Sequence, residues 1–131
     1  MAKICDIEAL LKTYLVAQGF TTGNIYLQEF PVSLASTATG LYLIRRVGTG
    51  QSPLNIDIDT PIVRVWARDP NAHTSYLNQK AVGDLLHGLN PVAVGSSRFL
   101  FAQLLSGIER IDDADADVPQ HAANYMIRVA V

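Results

Sequence analysis

Residues 59–71 read DTPIVRVWARDPN, and this stretch predicts a β-strand that leads directly into an α-helix. Between Pro61 and Arg68 every second residue is a small aliphatic one, which is the two-residue repeat of a half-buried strand. Asp69 and Pro70 then predict the start of a helix. Asp is a favoured N-cap, and Pro is favoured at the first helical position, where its missing N–H costs nothing.

The sequence on either side of this stretch predicts one domain, residues 1–131, built from two helices and five strands. The predicted helices span residues 6–19, with Asp6 as the N-cap, and Asn71–Leu89, with an apolar stripe of Leu77, Ala81, Leu85 and Leu89. The predicted strands are Asn24–Phe30, Gly40–Val47, Pro61–Arg68, Arg98–Arg110 and Ala123–Val131, and residues 48–60 are predicted to form a long loop or open hairpin arm. The order α-β-β-β-α-β-β predicts an α+β fold, a mostly antiparallel sheet packed against two helices.

The two faces of the strand Pro61–Arg68 differ in chemistry. Its small face, Val63, Val65 and Ala67, suits packing beneath the helices. The opposite face holds a Trp between two Arg, and Trp and Arg are the residues most enriched at interface hot spots. Stacking of the two Arg on the Trp at a solvated surface is the simpler interpretation. We expect subunit contacts through this face, at Ile62, Arg64, Trp66, Arg68, Met126 and Arg128.

The composition also favours an oligomer over a monomer. Hydrophobic residues make up 49% of the chain and charged residues 17%, whereas charged residues account for about 25% of an ordinary soluble domain. An oligomer that buries apolar surface between subunits explains this shortage of charge, and a well-packed monomer with a Ser, Thr and Ala surface is the alternative. The formal net charge of −2 provides no overall positive field for nucleic acid.

We expect no catalytic, metal or cofactor site. His73 and His87 lie fourteen residues apart on one predicted helix, about 21 Å along its axis, so they cannot share a metal. His87 is expected to cap the helix C-terminus, and His121 is expected in an acidic loop. Cys5, the only cysteine, has no assigned base and is expected to be inert.

The N-terminal and apolar segments predict a protein made in the cytosol without a membrane anchor. Asp6, Glu8 and Lys12 interrupt any signal-peptide core. The apolar run Phe99–Leu105 falls well short of the roughly 20 residues that a membrane span needs.

Three stretches together resemble a known family. They are DTPIVRVWARDPN at residues 59–71, DLLHGL at residues 84–89 and NYMIRVAV at residues 124–131. Their order, together with the chain length, resembles the tail-terminator proteins of long-tailed phages, also described as tail-completion, head–tail joining or minor capsid proteins. The resemblance is strongest over residues 61–131. The connector DDADADVPQHAA, residues 112–123, is more acidic than the pattern of that family.

The resemblance implies an α+β structural subunit, not an enzyme, that closes into a ring, commonly a hexamer. Such a ring would stack on the tail-tube protein, stop tube polymerisation and present its other face to the head-completion proteins. DNA would pass through its channel without specific binding, and the protein would be assembled in the host cytoplasm and reside in the virion tail or neck. A ring uses heterologous contacts between two different patches. The residues expected to dock partners or line the channel are Gln51, Asn55, Asp57, Asp59, Asp112, Asp113, Asp115 and Asp117.

Three alternatives remain open. The first is another neck component, such as a head-closure protein. The second is a nucleic-acid-binding module, for which Tyr42 and Arg46 together with Arg64, Trp66 and Arg68 form the candidate cluster. The third is an enzyme or small-ligand module, which would need convergent polar groups in one pocket, whereas the predicted strands offer mainly aliphatic residues.

Overall fold

The fold is described by a computed structural model that covers residues 4–50, 57–111 and 118–131. Its helices are α1 (Ile7–Ala17) and α2 (Ala72–Leu86), with a short 3-10 turn at Thr22–Asn24. Its strands are β1 (Ile25–Leu27), β2 (Leu41–Thr49), β3 (Ile58–Asp59), β4 (Pro61–Arg68), β5 (Val92–Val94), β6 (Ser97–Leu104), β7 (Glu109–Ile111) and β8 (Gln120–Ala130). The α+β class is confirmed, and β4 has the predicted bounds.

All the strands belong to one mixed sheet in the order β1-β2-β4-β8-β6-β5. Strand β8 lies at its centre, with β3 and β4 paired along one edge and β6 and β7 along the other. The predicted order is not matched, because β3 and β5 are additional short strands and the predicted strand Arg98–Arg110 is divided into β6 and β7. The sheet is also not purely antiparallel, since β1 pairs with β2 in parallel.

Helix α1 forms as its sequence predicts. The Asp6 carboxylate accepts a hydrogen bond from the Ala9 N–H at 3.3 Å, which is the predicted N-cap. Ile7, Leu11 and Leu15 follow the i, i+4, i+8 spacing and are almost completely buried. The apolar stripe of α1 therefore packs onto the sheet.

The N-cap of helix α2 lies two residues later in the chain than predicted. Its N-cap is Asn71, whose side chain accepts from the Thr74 N–H at 3.0 Å, so the prediction of Asp69 as the cap is wrong. Asp69 is buried, and its carboxylate accepts hydrogen bonds from the N–H groups of Asn71 and Gly40 at 2.9 and 3.0 Å. The Asp therefore stabilises the turn before the helix and the start of β2.

The face of α2 that packs on the sheet also differs from the predicted one. Leu77 is 46% exposed and Ala81 is exposed, whereas Leu85 and Leu89 are partly buried against the core, so only the C-terminal half of the predicted stripe is confirmed. The buried residues of the helix are Ser75, Gln79, Val82, Gly83 and Leu86. The Gln79 amide donates to the carbonyl groups of Val65 at 2.6 Å and His121 at 2.8 Å. Hydrogen bonds to the sheet thus compensate for burying two polar residues on this face.

Both helices cover the same face of the sheet. The core contains the predicted residues Val63 and Val65 of β4, together with Phe99, Tyr125 and Ile127 from the neighbouring strands. Ala67 is fully buried on this face, as predicted. The opposite face of β4 therefore lies on the side of the sheet away from the two described helices.

Candidate interaction surface

The strand register gathers arginine and large apolar side chains on the sheet face opposite the helices. Residues that are directly opposite on paired antiparallel strands share a face. Arg45 pairs with Arg64, Ile62 with Met126, Phe101 with Arg128, and Arg98 with Ala130. We call this surface the arginine face and define it by Arg45, Ile62, Arg64, Trp66, Arg68, Arg98, Phe101, Met126 and Arg128. The six residues predicted for subunit contact all lie on it.

Trp66 is half-buried at the centre of this surface and lies outside the helix-covered core. The guanidinium carbons of Arg45 and Arg64 are 5.1 and 5.2 Å from the centroid of its ring. Arg45 also donates its Nε–H to the Gln28 carbonyl at 3.0 Å. Cation–π contacts of this kind contribute about 0.5–1 kcal/mol each at exposed sites, so they hold the guanidinium groups in place.

The arginine face carries most of the arginine of the chain. It holds five of the seven Arg, and among the described strand residues on this side Glu109 is the acidic one. The Glu109 carboxylate is 3.6 Å from Arg64, but with 66% of the Glu109 side chain exposed this pair is weak. With Glu109 counted, the five Arg give this face a formal charge of +4, in a chain whose net charge is −2.

Several polar atoms of this surface are buried without a hydrogen-bond partner in the described part of the chain. They are the Nε atoms of Arg64, Arg68 and Arg128 and the Oδ1 atom of Asn124. Arg64 and Asn124 also line a cavity of about 30 Å³, which is room for roughly one water molecule. Buried donors without acceptors are costly. Several buried polar atoms of the arginine face therefore lack a hydrogen-bond partner among the described residues, whereas the buried polar side chains of α2 on the helix-covered face are hydrogen-bonded.

The predicted nucleic-acid cluster is divided between the two faces. Tyr42 pairs with Ala67 and Arg46 with Val63, so both lie on the helix-covered side, away from Trp66. Arg45, and not the predicted Arg46, lies beside Trp66. The grouping of Tyr42 and Arg46 with Trp66 is wrong, because membership of a face depends on the register between β2 and β4.

The predicted docking residues fall into two groups. Gln51, Asn55, Asp112, Asp113, Asp115 and Asp117 lie outside the described residues. Asp57 is exposed just before β3, whereas Asp59 is 4% exposed within β3. Residues 48–60 are also not one continuous loop, since β2 extends to Thr49. The expectation that Asp59 belongs to an exposed docking arm is therefore wrong.

Asp59 instead forms a buried ion pair. Its carboxylate is 3.0 and 3.2 Å from the two terminal nitrogens of Arg46, and it accepts from the N–H and the thiol of Cys5 at 3.1 and 3.3 Å. Burial disfavours the ionised form of Asp59, but the hydrogen bonds from Arg46 and Cys5 outweigh this effect and lower its pKa. Burial, followed by the hydrogen bond to Asp59, raises the pKa of the Cys5 thiol to about 12. A thiol in this environment is a poor nucleophile.

His121 has a position that the sequence did not predict. His121 is buried in β8 and not in a loop, and its Nδ1 atom is 2.9 Å from the Ser75 hydroxyl. That hydroxyl donates its hydrogen to the Ala67 carbonyl at 2.9 Å, so Nδ1 of His121 is the donor to Ser75. A nucleophilic serine would instead donate to the histidine, which makes this pair structural.

His87 also has a structural contact. His87 lies at the predicted C-cap position of α2, and its Nδ1 atom accepts from the Leu104 N–H at 3.1 Å, so the ring also links the end of α2 to β6.

Within residues 4–50, 57–111 and 118–131, no group of three or more His, Cys, Asp or Glu side chains could hold a metal ion. Over the same ranges no helix has the length and apolar character needed to cross a membrane.

No family model matches the sequence, and no curated protein matches it. The resemblance to tail-terminator proteins stays a prediction.

Proposed function

We propose that this chain is a structural assembly subunit that closes into a ring through the arginine face and caps a phage tail tube. In this role it would end tube polymerisation and form the interface to the head-completion proteins. The observation that carries the proposal is the half-buried Trp66, flanked by Arg45 and Arg64 on the sheet face opposite the helices.

The chemistry of this face supports a protein contact. Interfaces are enriched in aromatic residues, Met and Arg relative to the rest of a protein surface, and Trp and Arg supply many of the residues that dominate binding energy. Here Trp66 and Met126 are half-buried, and Phe101 is 40% exposed. Burial against a partner would remove this apolar surface from water at roughly 25 cal/mol per Å².

The structure gives less support to the other functions considered. Base stacking in a nucleic-acid binder needs open aromatic faces, whereas two guanidinium groups already lie over the Trp66 ring. The buried Ser75 and His121 form a structural hydrogen bond and not a nucleophile–base pair. A head-closure role is the nearest alternative, because it would use the same kind of assembly contact.

The solution test compares the wild-type protein with Trp66→Ala. We expect the wild type to form a concentration-dependent oligomer in sedimentation velocity and Trp66→Ala to shift it toward the monomer. The control is Tyr76→Ala, which removes a ring that is 39% exposed on α2, on the other side of the sheet; its oligomer should match the wild type. An unchanged oligomer in Trp66→Ala, or a wild-type monomer at all concentrations, would contradict assembly through this face.

The biological test is electron microscopy of phage particles assembled without this chain. We expect overlong or unjoined tails, because nothing would stop the tube or connect it to the head. Tails of normal length joined to heads would contradict a terminator role, even if the pure protein forms a ring. Tubes of normal length that fail to join would instead favour the head-closure alternative.

A further inference from the structure

We infer that Gln28 is a positioning residue of the arginine face, because its backbone carbonyl holds the Arg45 guanidinium over the Trp66 ring. This inference rests on the proposed assembly function and adds how one arginine of the contact surface is kept in place. Gln28 directly follows β1 at the edge of the sheet, and its side-chain amide donates to Glu8 of α1.

The backbone of Gln28 has an unusual conformation. Its φ is 73°, in the left-handed region that non-glycine residues rarely adopt. The Glu29 N–H donates to the Leu27 carbonyl at 2.9 Å, which closes a three-residue turn around Gln28. A residue other than glycine keeps such a conformation only when its surroundings fix it.

This turn changes the hydrogen bonding at the end of the parallel ladder between β1 and β2. The Gln28 N–H still donates to the Ile44 carbonyl at 3.0 Å. The next bond of a regular parallel ladder would join the Arg46 N–H to the Gln28 carbonyl. The Arg46 N–H instead donates to the Glu8 carboxylate at 3.3 Å, and the Gln28 carbonyl accepts from Nε of Arg45 at 3.0 Å. The turn thus exchanges a ladder bond for a bond to a side chain of the arginine face.

The Glu8 carboxylate completes this arrangement from the helix side of the sheet. It accepts from the Gln28 side-chain amide as well as from the Arg46 N–H. It therefore holds the turn and also satisfies the backbone donor that the Gln28 carbonyl leaves. On the opposite side, the guanidinium carbon of Arg45 lies 5.1 Å from the centroid of the Trp66 ring. The Gln28 turn therefore links α1 to the arginine face across the edge of the sheet.

Fixing Arg45 matters because its side chain is long and exposed. Such a side chain loses rotamer freedom when a partner immobilises it, and this loss reduces affinity. The Gln28 carbonyl and the Trp66 ring hold the guanidinium before any contact forms. The turn therefore prepares the centre of the arginine face for binding.

The spectroscopic test compares Gln28→Met with Arg45→Met. Met has a length similar to that of Gln but no amide, so Glu8 no longer holds the turn. Trp66 is the only tryptophan of the chain, so intrinsic tryptophan fluorescence reports on this ring alone. We expect the acrylamide quenching constant to rise about twofold in both variants, because one of the two guanidinium groups over the ring is lost.

A double variant shows whether Gln28 acts through Arg45. Quenching of Gln28→Met/Arg45→Met should equal that of Arg45→Met, because the two changes remove the same contact. The matched control is Gln18→Met, which alters an exposed Gln after α1 and should keep wild-type quenching. A purely structural role of Gln28 would lower stability and leave the quenching of Trp66 unchanged.

Gln28→Gly tests the backbone conformation. Glycine adopts a positive φ without strain, so this variant loses the amide but keeps the turn accessible. Its quenching constant should rise less than that of Gln28→Met. An equal rise would show that the positive φ does not direct the carbonyl toward Arg45, and would overturn the inference.

Sedimentation velocity relates the turn to assembly. We expect Gln28→Met to self-associate about two- to tenfold more weakly than Gln18→Met, because ordering one long side chain at an interface costs roughly this factor. Equal self-association would overturn a role of the turn in the contact. Wild-type quenching in Gln28→Met overturns the inference and leaves assembly through the arginine face standing. A wild-type monomer that shows the expected quenching changes contradicts the proposed function and leaves the positioning of Arg45 standing.

Discussion

Replacing Gln79 with Met should strongly destabilise the fold, because one amide joins three elements. Gln79 is fully buried on α2. Its Nε2 group donates to the carbonyl of Val65 in β4 and to that of His121 in β8. Its Oε1 atom accepts from the Tyr125 hydroxyl at 3.0 Å. Met has a similar length and no amide, so Gln79→Met removes these bonds without creating a large cavity.

The expected loss follows from the groups left without a partner. A buried polar group that loses its hydrogen bond costs about 1–3 kcal/mol. Three groups lose a bond to Gln79, although the two carbonyls keep a second lone pair for other donors. The apolar Met side chain offsets part of the loss through burial. We therefore expect Gln79→Met to lower the free energy of unfolding by about 3 kcal/mol, a large share of the roughly 5–15 kcal/mol of a typical domain.

A double-mutant cycle isolates the Tyr125 bond. Tyr125→Phe removes the hydroxyl and leaves the Gln79 Oε1 atom without this donor. In the double variant Gln79→Met/Tyr125→Phe neither partner remains, so its loss should be about 1–2 kcal/mol smaller than the sum of the single losses. The control Lys80→Met alters the next residue, which is exposed and pairs with Asp84 at 3.1 Å; it should cost less than about 0.5 kcal/mol.

The assay is urea unfolding followed by circular dichroism, at a protein concentration where the chain is monomeric, with the same m-value in all variants. Strictly additive losses in the cycle, or a loss below about 1 kcal/mol for Gln79→Met, would refute the assignment of the buried amide as the connection between α2 and the sheet.

Two further predictions concern the buried ion pair. Because the folded protein lowers the pKa of Asp59, its ionised carboxylate contributes stability that is complete above the unfolded pKa, about 3.9, and is lost as the pH falls through the folded value. Acid unfolding of Asp59→Asn should therefore depend less on pH below about 4, and an unchanged profile would contradict this. Cys5, with its pKa raised to about 12, should react with a disulfide reagent at pH 8 much more slowly in the folded protein than in urea. Equal rates would show that the thiol is accessible.

The sequence by itself predicts those elements whose signal is local. Strand β4 keeps its predicted bounds because the alternation from Val63 to Ala67 lies within one strand. Helix α1 is also predicted from local signals, because its N-cap Asp6 and its buried residues Leu11 and Leu15 lie within a few helical turns of one another. The prediction of which face of β4 the helices cover is also confirmed, because small aliphatic residues alternate with Arg and Trp.

Features that depend on distant parts of the chain could not be predicted. The buried face of α2 contains Ser75 and Gln79, which become acceptable inside the protein because β4 and β8 offer their carbonyl groups at the right positions. No helical periodicity contains that information. The short strand β3 likewise exists because it pairs with β8, whose partner residues lie about seventy positions further along the chain.

The candidate surface shows the same division. The alternation in β4 and β8 predicted Trp66, Arg64 and Arg128 on one face, whereas Arg45 joined them only through the register of β2 with β4. A shift of one residue would have placed Arg46 there instead, and in the fold Arg46 neutralises the buried Asp59 on the other side of the sheet. The sequence thus determined the residue types and their local periodicity. The tertiary structure decided which charges face each other, because strand pairing sets distances between residues that are far apart in the chain.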